Sequence, residues 1–216
     1  MAFGEGEQHK DTQPQEHDQL ATTNESLAAI NNLLAAGSAQ GYALWYGDSK
    51  SNLVETLAAK SSFTQLAIVD DNASSVDRLR VRLDQCQVGN RVTVHHSTAS
   101  QFKAPQYIAN MVFVDRDTVK SESIKEIYKS VRPYGGVMHL LGDDDHEKLV
   151  KEIEAMQLEQ ASISVGDHGV MVQRVGALPG SADWTHQYGD VANTICLLYT
   201  SPSPRDQRGS RMPSSA

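Results

Sequence analysis

The stretch SISVGDHGVMVQRV, residues 162–175, decides the fold. Two short runs, SISV and VMVQRV, flank Gly166-Asp167-His168-Gly169, a set of residues suited to a tight reversal. That arrangement predicts a terminal antiparallel hairpin. Everything upstream reads differently. GYALWY (residues 41–46), QLAIV (65–69), RVTVHH (91–96), NMVFV (110–114) and GGVMHLL (135–141) are short and mostly apolar. Between them apolar residues recur at helical spacing: Leu53, Val54, Leu57 and Ala58, then Val76, Leu79, Leu83 and Cys86, then Ile124, Ile127, Tyr128 and Val131. Leu149, Val150, Ile153 and Met156 mark a last helix before the hairpin. Strands alternating with helices need crossovers, and crossovers build a parallel sheet covered on both faces. The expectation is an α/β three-layer sandwich whose seven-stranded sheet is mostly parallel and ends in the antiparallel hairpin.

The chain has 216 residues and a formal charge of −8. An acidic surface repels phosphate backbones, so nucleic acid is not the expected partner. No apolar run approaches the roughly 18 residues of a membrane span. Residues 1–21 are rich in Gln, Glu, Asp and His, lack a secretory pattern and are expected to be disordered. Thr22 and Glu25 fit a capping box ahead of Leu27, Ile30, Leu33 and Leu34, with Gly37 as the stop; Gly89 closes the helix after QLAIV. No metal site is expected. His95 and His96 are strand neighbours that point to opposite faces, and Asp143-Asp144-Asp145-His146 reads as a helix cap.

Three features give residues 41–175 a resemblance to class I S-adenosylmethionine-dependent methyltransferases, which have a Rossmann-like fold. Arg132-Pro133-Tyr134-Gly135-Gly136 is similar to the family's R-P-G-G turn, Asp70 closes the second strand, and the final helix and hairpin match its antiparallel last strand. The resemblance implies an S-adenosylmethionine-binding methyltransferase-like domain over residues 22–176. It places Gly47, Asp48 and Ser49 on the methionine side of the cofactor, Asp70 at the ribose, and Thr98 with Ala99 at the adenine edge. The cofactor turn departs from the pattern. Gly47, Ser49 and Ser51 fall on the three glycine positions, and Trp45 stands where the family carries an acid. After the fourth strand comes Val114-Asp115-Arg116-Asp117, without an Asn-Pro-Pro-Tyr motif; Asp115 is a candidate base, and no catalytic residue is assigned. A nicotinamide-binding domain is disfavoured by the hairpin and by the missing G-x-G-x-x-G.

Further on, Asp183-Trp184-Thr185-His186-Gln187-Tyr188-Gly189-Asp190 resembles the segment leading into a pyrroloquinoline-quinone-type (PQQ-like) β-propeller in large planctomycete-type bacterial proteins. Residues 177–195 would then be a linker into a propeller that the chain lacks. The alternative function is a non-catalytic structural or interaction module of such a protein. Residues 196–216, CLLYTSPSPRDQRGSRMPSSA, resemble a translated sequencing adapter, which would make them a non-native tail. That tail holds three arginines, one aspartate and Cys196, so the rest is more acidic still and keeps only Cys86. As written the chain is expected in the cytoplasm, or in the periplasm if an upstream signal is missing. The methyl acceptor is not specified.

Overall fold

A computed structural model describes residues 23–49, 52–142, 145–178 and 180–181. The described residues up to Ala177 belong to one compact unit, and all that follows concerns that unit. Expectations for residues 1–22 and 182–216, and for Ser51, Asp143 and Asp144, lie outside the described residues.

Seven strands and five helices follow the predicted order: α1 (Asn24–Ala35), β1 (Tyr42–Tyr46), α2 (Asn52–Lys60), β2 (Gln65–Asp70), α3 (Ala73–Gln85), β3 (Val92–His96), β4 (Ala109–Asp115), α4 (Ser121–Tyr128), β5 (Val137–Leu141), α5 (His146–Ala155), β6 (Ala161–Gly166) and β7 (Gly169–Arg174). They form one sheet in the order β3-β2-β1-β4-β5-β7-β6. The pairings from β3 through β5 are parallel, whereas β7 runs antiparallel to both β5 and β6. The strand order reverses between β1 and β4, so a crevice opens where the carboxyl ends of β1, β2 and β4 meet.

Burial explains the apolar runs. β5 is buried at every position and β4 at all but its last, because each has helices on both faces. The outer strands β3 and β6 are largely exposed. On one face Trp45, Ile68, Met111 and Phe113 pack against α1, α2 and α3; on the other Tyr46, Val112, Val114, Met138 and Leu140 pack against α4 and α5. At the open side of β3, Arg80 of α3 donates to the Val94 carbonyl from Nε at 3.1 Å and from Nη2 at 2.7 Å.

Several local readings need correction. The capping box uses Thr23 and Ser26, each side chain bonding the other's backbone N–H, and not Thr22 with Glu25. Gly37 is not a left-handed helix stop. A Cβ there would press on Met111 and Val137 at 3.0 and 3.1 Å, so its value is close packing. At the end of α3 Gln87, not Gly89, takes the left-handed conformation, with φ of 57°. Asp145 does cap α5, accepting from the Glu147 and Lys148 amides.

Trp45, Phe113 and His139 occupy one row of the sheet and stack, with centroids 5.9 Å and 5.4 Å apart. His139 is 5 % exposed, and burial pulls its pKa down to about 4, opposed in part by a hydrogen bond to the Leu33 backbone. The native ring is therefore neutral below the ordinary histidine pKa of about 6.5, where the unfolded chain already takes up a proton. The His139 contribution to stability should fall as pH drops from about 6.5 towards 4 and change no further below. The slope is at most about 1.4 kcal/mol per pH unit. Urea midpoints between pH 7 and 4.5 measure it, and His139→Leu should remove this component.

Candidate functional site

The loop after β1 starts with Gly47, whose amide continues the parallel pairing by donating to the Val69 carbonyl at 3.0 Å. Gly47 has φ of +123°, and a Cβ there would overlap Asp115 and Thr118. The surviving glycine thus lets β1 pass close to the end of β4. Asp48 donates its amide to Asp115 Oδ2 at 3.2 Å, an oxygen that also accepts from Thr118 Oγ1 at 3.2 Å; Asp115 Oδ1 accepts from the Asp117 amide at 3.0 Å. Asp115, the candidate base, has both oxygens engaged and braces the loop.

Ser49 turns the other way. Its amide and hydroxyl both donate to Asp70 Oδ2, at 2.9 and 2.5 Å, and both residues are buried. Asp70 Oδ1 accepts from the Asn72 amide at 2.8 Å, just where Asn72 caps α3. The loop is therefore tied to β2 by one carboxylate and to β4 by another. Hydrogen bonds to an ionised carboxylate are worth about 1.5 to 3 kcal/mol, so the closed form is well held.

The six residues expected around the cofactor separate into two groups. Gly47, Asp48, Ser49 and Asp70 come together as this closed knot. Thr98 and Ala99 lie in the turn after β3 and line a cavity of about 480 Å³ with Asp71, Lys103, Thr118 and Val119. Thr98 Oγ1 pairs with the Ser100 hydroxyl at 3.1 Å. A cleft of that volume is in the range of small-molecule sites.

Trp45 does not face this crevice. It is 1 % exposed and packs into the core on the α1 to α3 face. Of the two histidines on β3, His96 pairs through Nε2 with the Asp71 carbonyl at 3.0 Å and His95 lies 4.9 Å from the Phe102 ring. Both are exposed. Among the described residues no three His, Cys, Asp or Glu side chains converge as metal ligands, and no helix is long and apolar enough to cross a membrane.

No family model matches the sequence, and no curated protein does. Solved structures do. A candidate S-adenosyl-L-methionine-dependent methyltransferase from Methanococcus maripaludis is similar with a TM-score of 0.59, at 12 % identity, over 70 % of this chain and 85 % of that one. The fold is that of the methyltransferases. An S-adenosylmethionine-dependent O-methyltransferase from Thermotoga maritima scores 0.54 at 11 % identity, covering 74 % and 68 %. A tRNA methyltransferase from Aquifex aeolicus scores 0.53 at 13 %, covering 75 % and 73 %. Fold is what this likeness establishes, since one fold carries many functions. With a tRNA methyltransferase among these structures, the fold leaves a nucleic-acid acceptor open.

Proposed function

We propose that the domain binds S-adenosylmethionine at the carboxyl edge of β1, β2 and β3, as a methyltransferase-like domain of unassigned acceptor. The observation that carries this reading is Asp70, an acid closing β2 one strand from the strand-order reversal, with the cleft of Thr98 and Ala99 next to it. The donor set suits an adenosyl ligand: a carboxylate for ribose hydroxyls, a hydroxyl and backbone groups for the adenine edge. The Ser49 hydroxyl holds the place on Asp70 that a ribose hydroxyl would take. Displacing the Ser49 hydroxyl exchanges one hydroxyl for another while the Ser49 amide keeps its bond to Asp70, so the Ser49 side chain is a latch.

When bound, the cofactor supplies an electrophilic methyl group. The residues of this chain hold and orient it: Asp70 the ribose, Gly47, Asp48 and Ser49 the methionine portion, Thr98 and Ala99 the adenine. The acidic charge balance still favours a small-molecule or protein acceptor over nucleic acid.

Calorimetric titration with S-adenosylmethionine and S-adenosylhomocysteine tests this. Binding tighter than about 100 μM, roughly −5.5 kcal/mol, is expected. Ser49→Ala frees one acceptor position on Asp70 and should tighten binding by up to about tenfold, given a charge-assisted bond of about 1.5 kcal/mol. Asp70→Ala should abolish it. If neither the native chain nor Ser49→Ala gives heat or a thermal shift at millimolar ligand, the adenosyl reading is discarded.

A further inference from the structure

At the opposite edge of the sheet a cation is buried without a counter-ion. Arg174 ends β7 and is 2 % exposed. Its Nη2 donates to the Tyr128 carbonyl at 3.1 Å, while Nε and Nη1 are buried with no hydrogen-bond partner. No described carboxylate reaches ion-pair distance of it. The guanidinium carbon lies 4.3 Å from the Tyr128 ring centroid and 5.2 Å from that of Tyr107. Cation–π contacts of that kind compensate a desolvated charge by about 2 kcal/mol, less than the several kcal/mol that burying an ion takes.

The same residues line a cavity of about 280 Å³, with Lys125, Lys129 and Glu159 at its wall. Lys129 is paired with Glu126 at 2.6 Å, and Lys125 forms no ion pair among the described residues. Glu159 gives its backbone carbonyl to the Tyr128 hydroxyl at 3.0 Å. Tyr107 is held over Arg174 with φ of 61°, a conformation uncommon for a bulky aromatic residue.

We infer that this cavity binds a small oxyanion, a carboxylate or phosphate group, drawn to the Arg174 guanidinium, whose Nε and Nη1 lack a hydrogen-bond partner, with Lys125 on the cavity wall. The site lies at the amino edge of the parallel strands, away from Asp70 and Asp115, and does not depend on the cofactor reading.

The test uses the full-length ¹⁵N-labelled chain and follows the Arg174 Nε–H resonance, together with the backbone amides of Tyr107 and Leu158 that remain readable in Arg174→Gln, at fixed ionic strength with chloride as control. Inorganic phosphate and acetate are titrated separately, which tells a phosphate group from a carboxylate. At least one should shift the resonance saturably, with half-saturation below about 1 mM. Lys125→Gln, on the surface, should weaken that binding several-fold, and Arg174→Gln should abolish it. A resonance unmoved by either anion would overturn the inference. So would saturation of the same strength in Lys125→Gln and in Arg174→Gln; if the latter does not fold, the native chain and Lys125→Gln decide alone.

Discussion

Gly169→Ala should destabilise the domain by about 3 kcal/mol or more, while Gly166→Ala, in the same turn, should change stability by less than about 0.5 kcal/mol. The two glycines flank the β6–β7 reversal as a strand pair, yet their surroundings differ. A methyl group on Gly169 would overlap the Leu140 carbonyl oxygen, a backbone atom fixed within β5, and Gly169 carries φ of +131°. Backbone strain and overpacking therefore add. At Gly166 the nearest atom to an added Cβ is 3.9 Å away, an ordinary contact. Urea midpoints for the two variants at one pH compare them directly. Equal losses would mean that the hairpin's tight apposition to β5 is wrong.

Trp45→Asp should leave the chain unfolded. The substitution places the family's acid back on its aligned position, and alignment alone would make it a repair of the cofactor loop. The structure reverses that expectation. Trp45 is 1 % exposed and stacked on Phe113, so removing the indole forfeits about 3 to 5 kcal/mol. Its replacement buries a carboxylate among apolar side chains, at several kcal/mol more. Together these amount to roughly 6 to 10 kcal/mol, a large share of the 5 to 15 kcal/mol by which domains are stable. Loss of the near-ultraviolet circular dichroism signal and of a cooperative melt is the expected readout. A cooperative melt within a few degrees of the native chain would show that the Trp45 site is solvated.

The sheet is legible in the sequence because burial leaves a simple trace. NMVFV and VMHLL are apolar without alternation, as strands covered on both faces must be, and the reversal at 166–169 is set by local turn chemistry. Helix ends are less legible, since Gly37 packs instead of capping and Gln87 takes the left-handed position without a glycine. At the site Asp70 stands out as an acid closing a strand. Its engagement by Ser49 does not, because that contact joins residues 21 apart through the fold. Arg174 is absent from the expected site residues although the sequence carries a signal for it. Val170, Val172 and Arg174 alternate along β7 on one side, so the arginine follows two buried valines inward. An Arg in the apolar phase of a strand is the mark of a buried cation.

Arg80 has a consequence for how copies of the chain meet. Its guanidinium occupies the Val94 carbonyl on the outer side of β3, a group that would otherwise face solvent ready to accept from another strand. Exposed margins of sheets template intermolecular pairing, and a charged arm laid across one discourages it. Arg80 thus acts against self-association: with a short neutral side chain in its place, this rim would invite strand-to-strand polymerisation at high concentration.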